Sequence, residues 1–143
     1  MAKENFLAPG PKQSDFDTLS STVSTLNSNI ASIGTITSSI VTDDEKSVAN
    51  NGYFVNLDVP AGKYIVMYEL IGEANIKGWI NAIYSTQPTS LEYCMLKIVE
   101  ANDVATVTMP ITTATTKTLA IHNFNGATKK CYKGTKIIAM KVG

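Results

Sequence analysis

A chain of 143 residues with 44% hydrophobic and 17% charged content holds enough apolar surface for one packed domain and an appendage, which excludes general disorder. Twelve basic residues balance twelve acidic ones, so the electrostatic footprint of a dedicated nucleic-acid binder is missing. The opening MAKENFLAPG lacks the apolar stretch of a secretory signal, and no run approaches the ~20 apolar residues that cross a bilayer; no membrane insertion is expected.

Residues 1–13 contain Pro9-Gly10-Pro11, which neither continues a helix nor pairs fully in a sheet, and they read as an extended arm. Residues 14–41 carry the clearest periodicity in the chain. Phe16, Val23, Ile30 and Thr37 recur at one heptad position, and Leu19, Leu26, Ile33 and Ile40 at another, in 3-4 spacing. Such a seam predicts a coiled coil, with Ser14 or Asp15 as its N-cap. A helix packed on its own domain would show a wider apolar face than this one, whose flanks are Ser, Thr and Asn. Those residues each cost roughly 0.5 kcal/mol of helix propensity relative to Ala, so the stalk is expected to fold only on assembly. Ile at both Ile30 and Ile33 shifts the preferred state from dimer toward trimer or tetramer, and a parallel trimer is expected.

Residues 42–51 form a polar link ending at Asn51-Gly52, a strong turn signal. From there residues 52–143 read as strands: Tyr53 to Val59, Lys63 to Ile71, Ile76 to Tyr84, Leu91 to Val99, Val104 to Met109, Thr118 to Asn123 and Thr135 to Val142. Pro60-Ala61-Gly62, Gly72, Pro88, Asn102-Asp103, Asn125-Gly126 and Gly134 punctuate them. Seven or eight short strands at this spacing predict an all-β sandwich or jelly-roll head. The expected class is therefore α+β overall, with the head trimeric behind an arm and a short coiled coil. Within the strand at Lys63 to Ile71 both faces are rather apolar, which suits a central place or a contact between subunits.

No catalytic constellation stands out, and no enzyme activity, metal or cofactor is expected. His122, the single histidine, sits at a strand end; Cys94 and Cys131 lack metal spacing and read as reduced structural thiols, with a disulfide between them as the alternative. Asp43-Asp44-Glu45 reads as a solvated hinge without calcium-loop spacing. There is no phosphate-cradling glycine loop and no nucleophile elbow. The basic run Lys129, Lys130, Lys133, Lys136 reads as a solvated rim, since no acidic segment of similar density answers it. Trp79, Tyr84 and Tyr93 are core or contact aromatics. Two loops, 85–90 and 124–129, are long enough to carry recognition. Trp79, Tyr84, Gln87, Asn125 and Lys129 are the residues expected to touch a receptor, if one exists.

The order of Pro-containing arm, Ser/Thr/Asn-rich heptads, polar link and β head ending Lys136-Ile137-Ile138-Ala139-Met140-Lys141-Val142 resembles the small fibre and head-fibre proteins of tailed bacteriophages. In strand rhythm alone the head is also similar to tumour-necrosis-factor-like and complement-type trimeric jelly rolls. The phage resemblance implies a virion protein assembled in the host cytoplasm. Residues 1–13 would anchor it to the major capsid protein or another virion protein, Phe16 to Ile40 would join three copies, and 52–143 would face outward, toward a host-surface glycan. Capsid is favoured over tail because the stalk is short. The alternatives are a tail fibre or receptor-binding protein, a bacterial adhesin, and a carbohydrate-binding jelly-roll module.

Overall fold

In the computed structural model, which describes residues 10, 12–80 and 94–143, α1 runs Gln13–Ser32 and is the one helix among them. Its N-cap is Lys12, one turn ahead of the expected Ser14 or Asp15. The Asp15 carboxylate reaches back instead and accepts the Lys12 backbone N–H at 3.0 Å. Thr18, Thr22 and Ser28 donate their hydroxyls to carbonyls one turn earlier, at 2.8, 2.9 and 3.0 Å. This lets polar side chains sit in a helix without stabilising it.

The helix stops well short of residue 41, which corrects the expected coiled coil over 14–41. Ile33 is already extended, and Gly34 has φ +82°, a conformation that costs a residue with a Cβ dearly. The Gly34 N–H then donates to the Lys141 carbonyl at 2.6 Å. The β-branched Ile-Thr-Ser-Ser-Ile that follows becomes strand β1, Ile36–Ile40. Thr37 and Ile40 therefore belong to a sheet and not to the helical seam. The chain divides into two units at this point, residues 1–33 and 34–143.

The second unit is built of antiparallel strands: β1, β2 Glu45–Val48, β3 Tyr53–Val59, β4 Gly62–Ile71, β5 Lys77–Ile80, β6 Met95–Lys97, β7 Val104–Thr113, β8 Lys117–His122, β9 Lys129–Tyr132 and β10 Lys136–Lys141. The expected link at 42–51 is thus corrected too, because it contains β2. Pairing is nested. β1 pairs with β10, β2 with β9, β3 with β8, β4 with β7 and β5 with β6, as in one long hairpin rolled up. Two further ladders, β10 to β4 and β5 to β8, close the roll into sheets of order β1-β10-β4-β7 and β3-β8-β5-β6. The small pair β2-β9 stands apart from both.

The two larger sheets share one core, as in a β-sandwich. Alternation sends Tyr64, Val66, Tyr68 and Leu70 inward from β4, which is central as its two apolar faces suggested. Ile137 and Ala139 join them from β10, and Val55, Ile121 and Ile80 come from one row of the opposite sheet. A bulge between Tyr53 and Val55 interrupts the β3–β8 ladder. The Phe54 carbonyl there is taken up by the Lys46 ammonium at 2.9 Å and the Cys131 thiol at 3.9 Å. Phe54 itself is fully buried.

Gly78 shows how closely the sheets approach. A Cβ on it would lie 2.5 Å from Ile121 Cγ2 and 2.8 Å from Leu70 Cδ2, which come from opposite sheets. Gly78→Ala is expected to lower stability in urea unfolding by about 1–3 kcal/mol through overpacking. An unchanged midpoint would mean that the sheets do not close on this position.

Candidate assembly site

The seam residues that fall in or at the end of α1 are Phe16, Leu19, Val23, Leu26, Ile30 and Ile33. All are exposed, from 45% for Val23 to 59% for Leu19, and the helix has no buried residue. A polar 20-residue helix with nothing covering its one apolar stripe is marginal in water. Covering the stripe supplies what propensity does not, at roughly 1.5–3 kcal/mol for each large side chain fully buried. Of the eight expected seam residues, Thr37 and Ile40 stand apart from this stripe, on β1.

The basic run is matched residue by residue with acids. Lys129 lies 3.7 Å from Glu73, Lys130 2.7 Å from Glu45, Lys133 3.6 Å from Asp44 and Lys136 2.9 Å from Glu69. Glu45, hydrogen-bonded to the Lys130 ammonium, raises that lysine's pKa. The acidic partners are spread over the 42–51 segment, β4 and the turn after it, so no single stretch of sequence reveals them. The carboxylates at Asp44 and Glu45 are therefore partners of β9 and its following turn rather than a free hinge.

Of the expected receptor residues, Tyr84 and Gln87 lie outside the described residues, as do Tyr93 and the 85–90 loop. Asn125 and Lys129 are engaged within the fold. The Asn125 side chain pairs with Lys77 as a strand would, its Oδ1 accepting the backbone N–H at 3.0 Å and its Nδ2 donating to the carbonyl at 2.7 Å. Behind it Asn123, fully buried, donates to the carbonyls of Val48 and Ala127 at 2.8 and 2.9 Å and accepts from Asn125. That hub ties the 123–127 loop to the end of β2 and to β5. Only its position at the end of a strand hinted at it in the sequence.

Trp79 is half-buried on β5, in register with His122. His122 also faces Tyr53 edge-on, with centroids 4.5 Å apart, and stacks on Phe124 at 4.8 Å. Its Nδ1 is buried without a hydrogen-bond partner, and burial lowers the imidazole's pKa. Both cysteines are free thiols. Burial pushes Cys131 up to about 11 and also raises Cys94, so neither is poised as a nucleophile near neutrality. Tyr68, fully buried, is likewise shifted upward by burial and, secondarily, by Cys94. Among the described residues no group of three or more His, Cys, Asp or Glu side chains could hold a metal ion, and no helix is long and apolar enough to cross a membrane. Compared with known proteins, the chain matches no family model, and no curated protein is similar enough to identify a relative.

Two measurements check the site. Replacing Leu26→Asp and Ile30→Asp together is expected to reduce the mass seen by light scattering to that of one chain, with the β circular dichroism of the head retained; a parental mass would remove the helix as the assembly element. For His122 the folded pKa lies below the ordinary 6.5, so protons favour the unfolded chain as pH falls below that value. Stability is expected to be full above it and to decline as pH falls below it, with a smaller decline in His122→Gln; equal slopes would rule out the buried imidazole as the cause.

Proposed function

We propose that this chain is a structural, non-enzymatic virion protein: a short homotrimeric fibre on a bacteriophage capsid, with the helix as its stalk and the β unit as its exposed head. The observation that carries the proposal is the helix in which every large apolar side chain is exposed while the rest of its surface is Ser, Thr, Asn and a few charges. A stripe of this width and spacing is satisfied by identical neighbours in a coiled coil, and the Ile30 and Ile33 pair favours three of them. The nested strand order supports a jelly-roll head, an architecture common in capsid proteins.

Among the described residues of the head, no group of three or more His, Cys, Asp or Glu side chains could hold a metal ion. The head's basic run at Lys129, Lys130, Lys133 and Lys136 is matched by acids in the same chain, and the paired Asn123 and Asn125 act as braces. Residues 1–13 take the role of virion anchor in this proposal, binding the major capsid protein or a neighbour of it. Contact between the head and a host-surface glycan belongs to the proposal as its outward-facing function, with Trp79 the expected participant among the described residues.

Deleting residues 1–13 is expected to leave the oligomeric mass unchanged and to abolish incorporation into particles, read by electron microscopy and by the protein content of purified virions. Particles that keep the truncated chain would refute the anchor. A protein never found on particles would refute the virion role altogether.

A further inference from the structure

Strand β1 has its polarity turned inside out. Its register partners place Thr37 beside Ala139 and Ser39 beside Ile137, on the core side of the sheet, while Ile36 and Ile40 point away from the core. An edge strand covering a sandwich normally does the reverse. The same outward direction continues across the sheet. Ile36, Met140, Ile65 and Pro110 form one cross-strand row, and Met67 and Ile138 sit in the next. Ile36 is 63% exposed and Met140 38%, and further along the same face Val104 is also exposed. Of the three charges on it, Lys136 and Glu69 neutralise each other at 2.9 Å, and Lys63 lies exposed near the start of β4, opposite Thr112. The outside of the opposite sheet is mixed: Asn56, Asp58, Thr118 and Lys97 lie there or at its edge, together with Tyr53, Trp79 and Met95 around His122.

We propose that this outer face of the β1-β10-β4-β7 sheet packs against neighbouring copies of the same chain, making the head a second assembly surface. The inference rests on the homo-oligomeric reading above and adds to it where the head's copies touch. The occupant follows from connectivity and charge. Only Ile33, Gly34 and Thr35 separate the helix from Ile36, a span of about 10 Å when extended, so any gathering of helices gathers the β1 strands of the same copies. The charge pair in the middle of the face is closed within one chain and offers little field to a charged partner, while the exposed Lys63 lies toward the start of β4, away from the centre of the Ile36–Met140–Ile65 row. Apolar sheet surface of this kind on a lone chain would invite aggregation, which closed assembly prevents.

Met140 and Met95 are native reporters, one on the proposed interface and one on β6 of the other sheet. The full-length protein is treated with hydrogen peroxide, and sulfoxide at each methionine is followed by mass spectrometry, beside the dissociated Leu26→Asp, Ile30→Asp chain. Met140 is expected to oxidise at least about tenfold more slowly in the assembled protein than in the dissociated one, with Met95 changing little. Equal rates at Met140 in a protein that light scattering shows to be oligomeric would overturn the head interface while leaving stalk assembly standing. A wild-type protein that is monomeric throughout would overturn both. A second variant guards against loss of the stalk distorting the head: Ile65→Lys with Met140→Lys, both at exposed positions, is expected to raise the concentration at which the oligomer dissociates, whereas Asn56→Lys on the opposite sheet leaves it unchanged. An unaltered dissociation profile in the double variant overturns the proposal.

Discussion

Strand β10 is hydrogen-bonded along both edges, to β1 on one side and to β4 on the other, and the arrangement of the head depends on that double pairing. Through β4 it joins the inner layers of the roll, and through β1 it captures the segment that leaves the helix. Its inward Ile137 and Ala139 are fully buried, while Lys136 holds Glu69 across the ladder to β4. Thr135, just ahead of it and fully buried, accepts the Ile71 N–H at 3.0 Å and donates to the Ile71 carbonyl at 2.9 Å, which fixes the register at which β10 enters. With that register set, the side chains of the whole sheet are sorted into a core face and an outer face.

The break at Gly34 follows from the same pairing. A helix continued through Ile36 to Ile40 would extend a polar, weak helix; the strand gains a ladder of backbone hydrogen bonds on β10 instead. Competition between these two outcomes is close in local propensity, since Ile and Thr are middling helix formers and good strand formers. Tertiary pairing decides it. The result places an apolar helix stripe and an apolar sheet face in consecutive stretches of one chain.

Much of the head could be read directly from residues. Tyr53 to Val59 is a strand at the bounds its alternation and turns suggest, and the positive φ angles of Asn51, Asn102 and Gly134 fall at expected turns. Where the reading failed, two periods coincided or charges hid a strand. Thr37 and Ile40 continue the heptad phase of Ile30 and Ile33, yet Ile36 and Ile40 also alternate with period two, and Gly34 was the signal that separates them. β2 was obscured by Asp43-Asp44-Glu45 and β9 by Lys129-Lys130, because each strand carries the charges that the other neutralises. Pairs of this kind are invisible to any window shorter than the distance between them. The helix stripe was legible as far as Ile33; the hub at Asn123 was not, because its side chain joins Val48 to Asn125 and Ala127, two stretches far apart in the chain.

The matching of lysines to acids inside one head has a kinetic side. With twelve charges of each sign and the densest basic run answered locally, little potential extends beyond the ~8 Å over which physiological salt leaves a field intact. Encounters between such bodies run at the unsteered rate, about 10⁵–10⁶ M⁻¹s⁻¹, and hardly vary with ionic strength. Recognition is then decided after collision, by how well surfaces fit and how long they stay together.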